Sequence, residues 1–393
     1  VPGVARRAAA IEPFEVMDVL RAARELEAAT GDVPGLPVCH LEVGQPSTPP
    51  PAAVLDAARA ALDGPLGYSD SLGLDALRRR ISRWYANRDA TEVAPDRIAV
   101  TSGASAGCVL AFLAAFDPGD RVAVVEPGYP CYRHMLAAFG VDAVAVPVGP
   151  EQGFRPTPEL LDAVLDGGPL RGLVVATPSN PTGSVLDADE LDAVLGWCRR
   201  HDVRPVVDEI YHDLVEAPRP PTAASDPSAV VVQSCSKYFC MTGWRLGWLV
   251  LPEELVRPVE RLAQNLYLSP PTLSQHAALA AFDATDELDA NVARYTANRH
   301  VLVDALRAAG LDRIAPATGA FYVWVDVGEL LERVGGDSRS LCRRWLEDLA
   351  VAATPGVDFD AARGDRFVRL SVAGSTDEVA EAARRLSRWV DAR

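Results

Sequence analysis

Residues 229–237 read Ala229-Val-Val-Val-Gln-Ser-Cys-Ser-Lys237, a β-branched apolar run that passes into small polar residues and stops at a lysine. The run is too short for a helix and has the composition of a buried strand, so Lys237 is expected just beyond a strand end. Of the 38 Lys and Arg residues, Lys237 is the only lysine. A guanidinium serves wherever a solvated positive charge is enough. The single amine is therefore expected to do what arginine cannot, which is to lose its proton and attack a carbonyl. A GC-rich coding bias accounts for the scarcity of lysine but not for its address, between this strand and the apolar residues Tyr238, Phe239, Cys240 and Met241.

Similar short runs recur on both sides of this stretch. Ile98–Val100, Arg121–Val125, Val141–Val148, Leu173–Ala176, Pro205–Val207, Ala229–Val232 and Leu246–Leu251 read as strands, and helical patterns such as 106–116, 158–165 and 187–201 lie between them. This alternation predicts an α/β fold with a mostly parallel seven-stranded sheet flanked by helices. The link around Thr242-Gly243-Trp244 is too short for a helical crossover, so one of the last two strands should run antiparallel to its neighbour. After residue 285 a long helix (289–309), strands at 320–327 and 367–372 and a closing helix (376–388) predict a smaller α+β domain. The expected organisation is an N-terminal segment, 1–45, packing with the small domain, a large α/β domain, 46–284, and the small C-terminal domain, 285–393.

Composition excludes several classes. A formal charge of −16 over 393 residues argues against nucleic acid or an anionic membrane surface as partner, because phosphates need clustered cations. Seven cysteines without a Cys-x-x-Cys pair indicate neither a disulfide framework nor a metal knuckle, so no metal site is expected and a reducing cytoplasm fits best. No apolar run approaches the ~20 residues of a membrane span, and the first residues, with Arg6-Arg7 and then Glu12 and Glu15, lack the apolar core of an export signal.

In an open α/β sheet, ligands bind at the carboxyl ends of the strands. Four strands end there in polar or small residues: Thr101-Ser-Gly-Ala-Ser105, Thr177-Pro-Ser-Asn-Pro-Thr-Gly183, Asp208-Glu-Ile-Tyr211 and Ser234-Cys-Ser-Lys237. The first opens a helix, so the backbone N–H groups of Gly103, Ala104 and Ser105 form a cradle for a phosphate. Arg245, Ser234 and Ser236 add charge and hydroxyl donors. Donors gathered around one amine point to a phosphorylated carbonyl compound, pyridoxal 5′-phosphate. Its ring nitrogen must stay protonated. A carboxylate within ~4–6 Å raises such a pKa by ~1–3, roughly 1.4–4 kcal/mol, and Asp208 is the candidate. Asn180 and Tyr211 are placed to hold the ring oxygen, and Tyr129 to cover the ring face. Arg369, alternating with apolar residues in Phe367-Val-Arg-Leu-Ser-Val, is costly on a strand unless paired, and a substrate carboxylate pairs it.

Taken together, Ser-Asn-Pro-Thr-Gly, Asp-Glu-x-Tyr, Ser-x-Ser-Lys, Gly-Trp-Arg-Leu-Gly-Trp and the late Val-Arg-Leu-Ser resemble the class I/II aminotransferases of the fold type I pyridoxal-phosphate enzymes, in the family's order and over essentially the whole chain. The resemblance implies that Lys237 forms the internal aldimine and shuttles the proton, and that Asp208 pairs with the pyridine nitrogen. It further implies that Tyr129 stacks on the ring, that the 103–105 turn, Ser234, Ser236 and Arg245 bind phosphate, and that Arg369 grips the substrate α-carboxylate. Gly44 resembles the family's substrate-contacting glycine. Tyr68 resembles the tyrosine that reaches the neighbouring subunit's phosphate, which implies a homodimer with shared sites. Relatives that prefer dicarboxylates supply a second cation. The segment 263–276 has none, and Ser105 stands where some relatives carry lysine. With Phe14, Met17 and Leu20 as an apolar lining, a neutral or apolar L-amino donor and a 2-oxo acid acceptor such as pyruvate or 2-oxoglutarate are expected. Aspartate transamination or a lyase reaction at Cα is the alternative. Gly103-Ala-Ser105-Ala-Gly also fits a hydrolase nucleophile turn, but that reading leaves Lys237, Arg245 and Arg369 idle, and the last histidine, His300, lies in a helical pattern. Ser234-x-x-Lys237 lacks the Lys-Thr-Gly partner of penicillin-binding enzymes.

Overall fold

The computed structural model describes residues 3–30, 36–216 and 218–393. Residues 1, 2 and 31–35 of the expected N-terminal segment lie outside that range. Seven strands form the main sheet: β1 (Ile98–Thr101), β2 (Arg121–Glu126), β3 (Asp142–Pro147), β4 (Gly172–Ala176), β5 (Arg204–Asp208), β6 (Val230–Ser234) and β7 (Gly247–Val250). Their order is β1-β7-β6-β5-β4-β2-β3. β7 runs antiparallel to both β1 and β6, and the remaining neighbours are parallel. The central strands are buried along their lengths, so they are apolar runs rather than alternating ones. The one-turn link Thr242–Trp244 brings the chain directly back as β7.

A three-stranded antiparallel sheet follows, built from β8 (Tyr322–Asp326), β9 (Thr354–Pro355) and β10 (Phe367–Ser371) in the order β9-β10-β8. Near it, Cys39–His40 pairs in parallel with Val351–Ala352. The long helix is Thr285–Ala308, starting four residues before the expected 289, where Asp286 and Glu287 occupy its first turn and complement the helix dipole. The helix at 188–201 is closed at its start by a capping box between Asp187 and Glu190.

The chain is pinned immediately after Lys237. Tyr238, Phe239 and Met241 are buried. The Phe239 ring lies 5.5 Å from Trp84 and 4.8 Å from Phe282, and Tyr238 Oη donates to Asp289 on the long helix at 2.6 Å. The lysine thus projects from a backbone fixed by aromatic packing on one side and a β-ladder on the other. Phe239→Ala is expected to lower stability by about 3–5 kcal/mol through the cavity it leaves, seen as an earlier urea midpoint.

Candidate active site

The carboxyl ends of β4, β5 and β6 open onto a cavity of ≈ 460 Å³, within the range of roughly 300–1,000 Å³ usual for small-molecule sites. Lys237, Asp208, Tyr211, Asn180 and Tyr129 all line it. So do Gly44, Ala104, Ser105, Ser236, Arg245 and Arg369.

Lys237 Nζ donates to the Gly44 carbonyl. Burial, reinforced by the Arg369 and Arg245 guanidiniums and opposed by Asp208, lowers its pKa from 10.5 to about 8. Asp208 is buried, and burial raises its pKa against the opposing pull of two donors. These are Tyr132 Oη to Oδ2 at 2.5 Å and the Ile210 N–H to Oδ1 at 3.0 Å. Tyr211 Oη lies 2.7 Å from Tyr322 Oη, and burial holds the Tyr211 phenol well above its ordinary pKa, fully protonated.

Arg369, on β10, is 2 % exposed and has no carboxylate on its nitrogens among the described contacts. Nη1 donates to Asn180 Oδ1 at 2.9 Å and Nη2 to the Glu42 carbonyl at 2.5 Å, while Nε is buried without a partner. The rings of Tyr322 and Phe359 lie 4.4 and 4.5 Å from the guanidinium carbon. A full positive charge is thus desolvated, held flat and left with an unused donor, which suits a carboxylate ligand. Gly44 makes room for this arrangement, since a Cβ there would stand 1.7 Å from Tyr322 Oη.

At the other end, Gly103 takes φ +85° just before the helix Ala104–Ala115, and a Cβ on it would meet Arg245 Nη2 at 2.5 Å. That close approach puts a guanidinium beside a helix N-terminus, an anion cradle. Gly103 and Ser234 do not themselves line the cavity. Ser234 Oγ instead bonds Ser236 Oγ at 2.8 Å and the Leu246 carbonyl at 3.1 Å, which orients Ser236.

Tyr68 is 84 % exposed and stands outside the cavity of the single chain. Phe14 and Met17 line the cavity, whereas Leu20 faces a separate surface groove with Arg21 and Arg24. The sequence reading missed Tyr132, Tyr322, Val16, Met135 and Cys108, which also line it. Tyr132 carried a signal, three residues after Tyr129 at the start of a helix. No histidine lines the cavity beside Ser105, so the serine–histidine arrangement of an α/β-hydrolase is not formed there. Among the described residues, no group of three or more His, Cys, Asp or Glu could hold a metal ion, and no helix is long and apolar enough to cross a membrane.

A lysine with a lowered pKa, a buried carboxylate, an anion cradle and an unsaturated arginine around one cavity define an enzyme that works on amino and oxo acids through a phosphorylated carbonyl cofactor. Residues 37–386 match the family of class I and II aminotransferases, and the chain belongs to it. It is accordingly an aminotransferase of fold type I, transferring an amino group to a keto acid. The valine–pyruvate aminotransferase of Mycobacterium tuberculosis is 48% identical over 97% of each chain. A crystal structure of an aminotransferase from the same organism superposes with a TM-score of 0.94 at 47% identity, covering 100% of both chains. The Thermus thermophilus aspartate aminotransferase with maleate gives a TM-score of 0.89 at 32% identity, over 99% of this chain and 100% of that one.

The lowered pKa makes Lys237 separately observable. Below about pH 8 the ammonium form predominates and is unreactive, and above it the free amine predominates. Acylation of Lys237 in the cofactor-free protein, followed by peptide mass, is expected to show its midpoint near 8 instead of the ordinary 10.5.

Proposed function

We propose that the cavity holds pyridoxal 5′-phosphate and exchanges the amino group of a neutral, apolar L-amino acid such as valine with a short 2-oxo acid such as pyruvate. The fit of the cofactor rests on the cradle at Gly103 and Arg245, the buried Asp208 and the amine of Lys237. When bound, the cofactor supplies an electron sink for reaction at the substrate Cα. Lys237, whose lowered pKa of about 8 leaves part of it as free amine near neutral pH, takes and returns the proton. Asp208 would favour the protonated ring nitrogen, and Tyr132 donates to that carboxylate against the effect of burial. Tyr211 and Asn180 donate to the ring oxygen, Tyr129 covers the ring, and Arg369 fixes the substrate carboxylate.

The observation that carries the substrate preference is the apolar part of the cavity lining. Phe14, Val16, Met17 and Met135 are apolar residues of that lining, and the lysine and arginines in it are Lys237, Arg245 and Arg369, each with a role already. Burying an aliphatic side chain there gains ~1.5–3 kcal/mol, whereas an unpaired distal carboxylate costs several times that amount. The relative active on valine and pyruvate supports the same reading. Valine is expected to bleach the cofactor's visible absorbance and pyruvate to restore it, with kcat/KM for valine exceeding that for aspartate by more than tenfold. A preference for aspartate would show that a cation enters the pocket from elsewhere and would leave the dicarboxylate reading standing.

We further infer a homodimer, with Tyr68 completing the neighbouring subunit's phosphate site, in a reducing cytoplasm that suits seven free cysteines. In the single chain Arg245 and Ser105 are exposed at the cradle end of the cavity. Leu62, Leu66 and Tyr68 are exposed, as are Leu266 and Leu268, and Thr272 Oγ1 bonds the Gly67 carbonyl at 2.7 Å, bringing the two stretches together. This apolar face suits a second copy of the chain. Sedimentation is expected to give twice 41.9 kDa. A fully active monomer would contradict the shared site.

A further inference from the structure

Two adjacent residues, Asp358 and Phe359, tie together three stretches that contribute to the cavity lining: 14–17, 129–135 and Arg369. The Asp358 carboxylate accepts from the Glu15 N–H on Oδ1 and the Val16 N–H on Oδ2, both at 3.0 Å. These are free donors of the first turn of the helix Glu15–Thr30, so a residue some 340 positions away in sequence caps that helix. The Asp358 carbonyl accepts from Arg133 Nη2 at 2.9 Å, on the helix that carries Tyr132 and Met135. The Phe359 carbonyl accepts from the Gly128 N–H at 2.9 Å, next to Tyr129. The Phe359 ring covers one face of the Arg369 guanidinium, 4.5 Å away.

We propose that Asp358 is a positioning residue that sets amino-donor preference by holding the 14–17 segment over the side-chain end of the cavity. This rests on the neutral-donor reading above, because it assigns Phe14, Val16 and Met17 to the donor side chain. The segment has one other described charged tie, Arg339 Nε to Glu15 Oε1 at 2.5 Å, with side chains 53% and 26% exposed. Such a solvated pair contributes little. Asp358 is buried, at 4% exposure, and its two bonds point directly at the backbone between the lining residues. Phe14 reaches across to Tyr129, ring centroids 6.1 Å apart at 77°, so the segment closes against the residue that covers the cofactor. The same dipeptide therefore sets the distance between the grip on the α-carboxylate and the apolar wall that meets the side chain. A donor with a branched chain feels that distance, and alanine does not reach it.

The test is Asp358→Asn in the holoenzyme, with valine and alanine as donors to a common acceptor. Asparagine keeps the shape but turns an amide N–H₂ toward one of the two backbone donors. Loss of such a cap corresponds to roughly a five- to tenfold change. We expect kcat/KM for valine to fall by about that factor, mainly through KM, while alanine changes less than twofold and the cofactor's titrated affinity is kept. An equal fall for both donors, or no fall for valine, overturns the proposal. Trypsin cleavage of the holoenzyme at Arg21 and Arg24 reads the helix directly and should accelerate several-fold in the variant. Unchanged cleavage also overturns it. If Asp358→Asn fails to fold, Phe14→Ala replaces it in the donor comparison, with the same split expected and an equal effect on both donors overturning the proposal. The wild-type preference between valine and aspartate, measured in the same assay, reports separately on the neutral-donor reading.

Discussion

The site depends on one electrostatic constraint: a buried amine must be neutral part of the time in a cavity that also needs positive charge at both ends. Three cations, Lys237, Arg245 and Arg369, line it, against the single carboxylate of Asp208. The two arginines are permanently charged. Their field and the loss of water both favour the free amine, so lysine is the member that yields its proton. Arg369 is anchored largely by neutral acceptors, Asn180 Oδ1 and the Glu42 carbonyl, and its charge is left for a ligand. A glutamate in place of Asn180 would neutralise the arginine and raise the lysine at once.

Rigidity serves that constraint. Lys237 follows a strand whose neighbours run on both sides and precedes an aromatic cluster, so its backbone has little freedom. Asp208 is likewise fixed by the ladder through Ala176 and Val232 and by two donors on its oxygens. An unpaired carboxylate this deep would cost several kcal/mol or take up a proton. Tyr132 is thus as much a part of the charge arrangement as Asp208, since its hydrogen bond opposes the effect of burial on the carboxylate without adding another charge.

Most of this could be read in the chain because chemistry collects where strands end. Each of the seven strands was visible as a β-branched run, and the short link at 242–244 already implied that one of the last two strands runs antiparallel to its neighbour. The residues not foreseen are those whose roles come from packing between distant segments. Tyr322 reads as one more aromatic in an apolar strand, and only the approach of β8 to Gly44 and Tyr211 brings its hydroxyl into the cavity. Phe14, Met17 and Leu20 look equivalent at helical spacing. The cavity meets only the first turn of that helix, however, and Leu20 lies about 9 Å along the chain axis from Phe14 at 1.5 Å per residue. Val16 takes the place expected of it. Tyr68 is exposed on the single chain and lies outside its cavity.

Transfer between two acids through one cavity imposes a last condition. The donor leaves as its own oxo acid and the acceptor arrives as another, so both must satisfy the same Arg369 and the same apolar wall. A pocket that recognised a distal carboxylate on one partner would hold an unpaired cation whenever the other was bound, at the full cost of a desolvated charge. Enzymes that accept both kinds of substrate need a cation that can move out of the way. Here the apolar lining includes Phe14, Val16, Met17 and Met135, side chains with nothing to withdraw. On the proposed reading, matched apolar partners differing in size rather than in charge fit this lining without rearrangement. Under the positioning role proposed for Asp358, the depth of the pocket, set by how closely the 14–17 segment is drawn in, is the variable that separates one donor from another.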